Sequence, residues 1–201
     1  MKALVIVAHP DDETIWMGGT ILRNEDWEWT ILSLCRKNDP DRVPKYHKVC
    51  NLFGARAIIS DLDDEHLKPL QIKEVENKIL ENLKDLDYDY IFTHGKNGEY
   101  GHLRHKETHL AVTSLANSKK LQCTKLFYFN YGLSNQAVPS IPSLRIPTAI
   151  KKNADWHLEL NQKELNSKRD IIQNKYGFQQ LSFETLSCQN LEAFTLFKDT
   201  K

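Results

Sequence analysis

The pentapeptide His9-Pro10-Asp11-Asp12-Glu13 crowds an imidazole and three carboxylates into one turn. Carboxylates so close repel one another unless a cation neutralises them, and imidazole nitrogen mixed with carboxylate oxygen suits zinc or another first-row divalent metal. Acidic residues at a helix start also cap amides and oppose the helix dipole without any chemistry, so the pentapeptide alone decides little. A second group lies far downstream, in His94-Gly95-Lys96-Asn97-Gly98-Glu99-Tyr100-Gly101-His102-Leu103-Arg104-His105, with His109 one helical turn beyond. Its three glycines mark a turn-rich loop before a helix. His102 and His105, three residues apart, can project from a helix start toward one cleft. A catalytic zinc site takes three protein ligands and keeps a fourth position open for water. His9, Asp12 and His105 supply such a two-histidine, one-carboxylate set, leaving Asp11 and His102 for catalysis. Fe(II) is the other metal that this donor set accommodates. With the set filled, His109 is read as structural, His94 stays unassigned, and Glu13 is read as a partner of the site or a helix-start residue.

The two groups can share a crevice only if the elements before them lie side by side. Apolar runs of strand length recur at Ala3–Ala8, Trp29–Cys35, Arg56–Ser60, Tyr88–His94 and Thr124–Asn130, several near-continuous, as in strands covered on both faces. Stretches of helical length lie between them, at roughly 14–24, 44–53, 70–84 and 105–117. The third carries Leu70, Ile72, Val75, Ile79 and Leu83 near one face. This alternation predicts a three-layer, Rossmann-like α/β fold, a mostly parallel sheet with helices on both faces. Strands one and four are neighbours in the common doubly wound order, and their carboxyl ends flank the switch point where such sheets bind ligands. Both groups then face one crevice. The chain reads as a single domain over 1–201, with a core of about 1–130 and C-terminal elements 131–201 packed on it. Val138–Pro147 carries three prolines, and Asp155–Tyr176 reads as a helix.

His-Pro-Asp-Asp-Glu after the first strand, with Gly-Glu-Tyr-Gly-His-x-x-His after the fourth, resembles the PIG-L / LmbE-like zinc-dependent N-deacetylases over roughly the first 130 residues. The resemblance implies a Rossmann-like fold, metal held by His9, Asp12 and His105, Asp11 as general base, and a protonated His102 polarising the carbonyl oxygen. It makes Tyr100, in the loop over the site, a candidate oxyanion contact. It also implies hydrolysis of an N-acetyl amide on a small amino sugar or glycoside. In one departure, Leu103 and Arg104 stand where members often have Pro-Asp.

Arg36 and Arg42, which follow the second strand, are candidate substrate contacts beside a more ordinary reading as solvated charges. Asp63, Asp64 and Glu65 read as helix-start or surface carboxylates. Lys plus Arg equals Asp plus Glu at 27 each, so no global field attracts nucleic acid. No run is long enough to span a membrane. Cys35, Cys50, Cys123 and Cys188 are scattered without Cys-x-x-Cys spacing, and read as reduced thiols of a cytoplasmic protein, Cys35 and Cys123 within strands. Homo-oligomerisation is left open. Two other readings fit the same residues: a zinc amidase acting on a non-acetyl amide or thiol conjugate, and a non-catalytic sugar- or nucleotide-binding module. The second lacks a Gly-x-Gly-x-x-Gly after the first strand.

Overall fold

The computed structural model describes residues 1–198. Residues Ala3 to Ala8 have no solvent exposure, and this apolar run forms β1 (Lys2–Val7) at the centre of a seven-stranded sheet. Around it lie α1 (Asp12–Arg23), β2 (Glu28–Cys35), α2 (Arg42–Leu52), β3 (Arg56–Leu62), α3 (Ile72–Asn82) and β4 (Asp87–Thr93). The chain continues through α4 (Gly98–Gly101), α5 (Leu103–Asn117) and β5 (Gln122–Phe129). Next come a two-stranded hairpin, β6 (Tyr131–Val138) and β7 (Ile141–Ala149), then β8 (Trp156–Glu159) and α6 (Gln162–Asp170). A π-helical turn at Ile171–Lys175, α7 (Phe183–Ser187) and β9 (Leu191–Leu196) follow.

The strand order is β3-β2-β1-β4-β5-β9-β8. The first five strands pair in parallel, so the expected mostly parallel sheet is present, with β1 beside β4 through Ala3–Tyr90 to Ile6–Thr93. β9 and β8 extend it antiparallel. One face packs Val5, Val7, Trp29 and Phe92 against Ile15 and Trp16 of α1, Tyr46 and Val49 of α2, and Ile171 and Ile172 of the π-turn. The other packs Leu4, Ile6 and Leu32 against Val75 and Ile79 of α3 and Ala111, Val112 and Leu115 of α5. Helices therefore cover both faces. Cys35 and Cys123 lie in β2 and β5, and all four cysteines are unpaired.

The C-terminal third departs from the expectation. Trp156–Glu159 is a strand, so the helix expected over Asp155–Tyr176 starts only at Gln162 and ends in the π-turn. Asn161 is the physical reason. Its side chain accepts the Lys163 and Glu164 amides while Glu164 reaches back to the Asn161 amide, a capping box that fixes the first turn there.

α1 is the element that most directly shapes the site, and it is broken. Met17 leaves helical geometry at φ −149°, ψ 17°, next to Gly18-Gly19. A Cβ on Gly19 would come within 2.4 Å of the Leu160 side chain, which would have to move aside. The break frees amides inside the helix. Glu192 on β9 accepts from Gly19 N–H at 2.8 Å, Thr20 N–H at 2.7 Å and Thr20 Oγ1–H at 2.7 Å, and it is paired at 2.7 Å with Lys168. All of Lys168 and Glu192 is buried. Tyr131 adds a hydrogen bond to the Trp16 carbonyl at 2.7 Å, so residues beyond 130 hold α1 in place.

Candidate functional site

His9 to Glu13 turn out of β1 over the carboxyl edge of the sheet, and His94 to His105 leave β4 beside them. The register of β1 against β4 thus brings two groups, about a hundred residues apart in the chain, into one crevice. His9 Nδ1 lies 3.2 Å from Asp12 Oδ2 and 3.3 Å from His105 Nε2, and His105 Nε2 lies 3.4 Å from Asp12 Oδ2. A tetrahedral ion with bonds of about 2.0–2.1 Å has ligand-to-ligand edges of about 3.3–3.4 Å. The three donors fit such an ion.

Asp12 and His105 are hydrogen-bonded from behind, and His9 has a carboxylate oxygen near its outer nitrogen that makes no hydrogen bond. Trp16 Nε1–H donates to Asp12 Oδ1 at 2.8 Å, leaving Oδ2 toward the other two donors. Asp64 Oδ1 lies 3.1 Å from His9 Nε2, and Arg36 holds the other Asp64 oxygen at 2.5 Å. Glu99, 1% exposed, lies 2.6 Å from His105 Nδ1. Such outer partners set which nitrogen of a ligating histidine is free for metal. Three other groupings, His9-His102-His105, His9-Cys35-Asp64 and Asp12-His94-His105, have donor atoms within 4.8 Å of one another, His94 Nε2 lying 3.5 Å from Asp12 Oδ2. Burial pushes the Cys35 thiol well above its usual range, which disfavours the thiolate.

Asp11 sits beside this cluster with a strained backbone, φ 110°. Glu13 accepts its N–H at 3.0 Å, and Tyr176 and Thr14 donate to Glu13 in turn, so Glu13 holds the Asp11 backbone. Arg42 reaches the Asp11 carboxylate at 2.7 Å and stacks 4.4 Å from the Phe178 ring. Burial and then the Asp12 charge raise the Asp11 carboxyl well above the usual range, while Arg42 and His9 pull it down. Burial opposes ionisation of Asp12 too, but His105, His94 and His9 outweigh it and hold Asp12 well below the usual range. Neighbouring carboxylates are thereby separated, one poised to carry a proton and one ionised.

His102 packs its ring 4.7 Å from His9 and 4.8 Å from His105, and its buried Nδ1 has no hydrogen-bond partner. Burial, followed by proximity to His105 and His9, pushes it down to about 3. Tyr100 rests on Phe183 at 4.7 Å and lines, with Asp11, Asp12, Arg42 and Glu184, a cavity of about 250 Å³ over His9. A second cavity of about 520 Å³, lined by Arg36 to Pro40 and Asp61 to Glu65, shares Arg36 and Asp39 with it.

Arg36 and Arg42 are therefore engaged by carboxylates of the site, Asp64 and Asp11. Asp64, read from sequence as a surface or helix-start carboxylate, is buried against His9. Arg104 explains how. Fully buried, it bonds the Asp63 carbonyl and side chain, the Lys68 carbonyl at 3.0 Å and Glu107 at 2.6 Å, which fastens the loop after β3 to α5. His94 accepts the Ala8 N–H on Nε2 at 3.0 Å and faces Glu99 with Nδ1 at 2.8 Å. Glu99 and Asp12 overcome the cost of burial and raise His94 to about 9, yet the Ala8 N–H demands a lone pair on Nε2, and we assign the neutral ring. His109 bonds the His94 carbonyl at 3.0 Å from one helical turn below His105, a structural contact.

The sequence profile of the family described as "PIG-L: GlcNAc-PI de-N-acetylase" matches residues 4–116, more than half of the chain. Protein L374 of Acanthamoeba polyphaga mimivirus, uncharacterised, is 27% identical over 187 residues, covering 84% of this chain and 78% of the viral one. The 1D-myo-inositol 2-acetamido-2-deoxy-alpha-D-glucopyranoside deacetylase of Corynebacterium diphtheriae is 27% identical over 156 residues, covering 58% and 53%. The fold is similar to N,N'-diacetylchitobiose deacetylase of Pyrococcus horikoshii, with a TM-score of 0.68, 13% identity, and 98% and 83% coverage. It is similar also to the conserved protein TT1542 of Thermus thermophilus, at 0.65, 15%, and 96% and 93%. With both motifs inside the matched segment and their donors gathered in one crevice, the chain belongs to the PIG-L, GlcNAc-PI de-N-acetylase, family.

Proposed function

We propose that this chain hydrolyses the N-acetyl amide of a small amino sugar or its glycoside, releasing acetate and a free amine, with zinc held by His9, Asp12 and His105. One observation carries the reading: three donors at mutual distances of 3.2, 3.3 and 3.4 Å, with the carboxyl of Asp11 beside them. The family supports it, and two relatives are named for acetamido sugars, one an inositol glycoside and one diacetylchitobiose. Zinc bound there supplies Lewis acidity and a water that ionises near neutrality.

The chain's own groups divide the rest. Asp11 accepts a proton from the attacking water as its oxygen bonds to the acetyl carbon. The same carboxyl returns that proton to the nitrogen as the C–N bond breaks, and its raised pKa suits both transfers. Arg42 holds one oxygen of Asp11, a residue that lines the cavity. His102 and Tyr100 are the candidate donors to the acetyl oxygen. Loss of one such donor costs about 100-fold or more in rate. Phe183 and Tyr100 shield this side of the cleft.

The test is acetate release from a panel of N-acetylated amino sugars and glycosides, using metal-free, zinc-loaded and Fe(II)-loaded protein and zinc-loaded Asp11→Asn. The expected outcome is metal-dependent release that falls roughly 100- to 10,000-fold in Asp11→Asn with its metal content intact. No release from any sugar by folded, metal-loaded protein refutes the acetamido-sugar substrate. Full turnover in Asp11→Asn refutes its role as base.

A further inference from the structure

We infer that Glu99 is the positioning residue of this centre: one buried carboxylate fixes the tautomers of both His105 and His94, and through them holds the α5 and β1 arms of the site together. This rests on the metal-hydrolase reading above. Glu99 was not singled out by residue type, for a glutamate in a glycine-rich loop is ordinarily a solvated charge.

The geometry is specific. Glu99 Oε1 accepts the Gly95 N–H at 2.7 Å, and Oε2 receives His94 Nδ1 at 2.8 Å and His105 Nδ1 at 2.6 Å. An ionised carboxylate only accepts, so both Nδ1 atoms carry hydrogen. A neutral imidazole with hydrogen on Nδ1 keeps its lone pair on Nε2. In His105 that lone pair faces the point between His9 Nδ1 and Asp12 Oδ2. In His94 it accepts the N–H of Ala8, the residue before His9. The two rings stack at 3.8 Å, so moving one disturbs the other. A single oxygen thus sets the donor atom of a ligand on α5 and anchors the peptide that presents the ligand after β1.

The backbone is bent to achieve this. Glu99 occupies φ 56°, ψ −60°, a left-handed conformation that non-glycine residues rarely adopt, between Gly98 at φ 64° and Gly101 at φ 97°. Strain of this kind persists where surrounding bonds over-determine it, and three donors converge on this one side chain. Gly95 is part of the same construction, for a Cβ there would sit 2.4 Å from the Phe129 carbonyl oxygen.

Glu99→Gln preserves size but cannot satisfy all three donors. If its oxygen keeps Gly95, its NH₂ opposes two imidazole N–H groups; if it is flipped, its NH₂ opposes Gly95 N–H. The experiment compares zinc-loaded wild type with Glu99→Gln, measuring zinc affinity by competition with a chromophoric chelator and histidine tautomers by long-range proton–nitrogen NMR. We expect Nδ1–H on both His94 and His105 in wild type, and zinc binding weakened about 10- to 100-fold in the variant. A folded variant that binds zinc within about 2-fold of wild type overturns the inference. So does Nε2–H on either histidine of the wild-type protein, a measurement that needs no variant to fold. Wild type that takes up no zinc overturns the metal reading itself. Wild type that binds zinc but releases no acetate overturns only the substrate, and leaves both measurements of Glu99 in force.

Discussion

Replacing Lys168 with methionine isolates the buried pair that closes the break in α1. Lys168 and Glu192 have no exposed surface, and their Nζ–Oε1 distance is 2.7 Å. In the variant, Glu192 keeps three donors, from Gly19 N–H, Thr20 N–H and Thr20 Oγ1–H, but loses its only bonded cation among the described residues. Breaking one side of a buried ion pair costs about 3–5 kcal/mol, because the remaining charge is stranded away from water. For a chain of about 200 residues, each kcal/mol moves Tm by roughly 2–4 °C, so Lys168→Met should melt about 6–20 °C lower. The double variant Lys168→Met, Glu192→Gln removes both charges, and its loss should fall short of the two single losses summed by roughly 1–3 kcal/mol. Thermal and urea unfolding of the metal-loaded proteins, followed by circular dichroism, measures all four corners of the cycle. A single variant melting within about 2 °C of wild type, or single effects that add within about 0.5 kcal/mol, would refute the reasoning.

Two further outcomes follow from the charges of the site. Arg42 pulls the Asp11 carboxyl down, so Arg42→Gln removes that pull and Asp11 rises further; the basic form then appears only at higher pH, and the acid limb of the kcat/KM profile should move upward, an unmoved limb counting against the pairing. Asp64 is held at about 2 by His9 and Arg36 despite the cost of burial. A carboxylate whose folded value lies below its unfolded one contributes stability that is complete above the unfolded value and disappears as pH falls through the folded one. Urea midpoints of the metal-free protein should therefore decline from about pH 4 toward about pH 2, and Asp64→Asn should flatten that decline.

The parts of this site that were legible in the sequence are those where chemistry coincides with a strand end. His9 and Asp12 follow an apolar run that reads as a covered strand, and His105 lies beyond another, so residue type and placement were enough to expect the three in one crevice, where the structure gathers them. Glu99 gave no such signal, because its contacts with His94 and His105, five and six residues away, come from a left-handed backbone that folds the loop onto its own neighbours. Asp64 was hidden for a different reason: whether a carboxylate after β3 faces water or His9 depends on Arg104 pulling that loop down, a contact spanning 41 residues. Arg42 lies where a substrate contact was expected, yet it meets Asp11. Beyond 130 the period of the pattern misled. Prolines interrupt the β6–β7 hairpin, and Trp156–Glu159 abuts a helix without an apolar run to mark it as a strand.

The tie between Glu192 and Gly19 spans 173 residues, and that separation shapes the order in which this protein can mature. A ribosome delivers both ligand-bearing segments long before β9 exists, and during that interval the amides inside α1 are without their acceptor. Contacts so distant along the chain form late, since loop closure must come first. The parallel strands can therefore pair before β9 brings the carboxylate that accepts from the Gly19 and Thr20 amides inside α1.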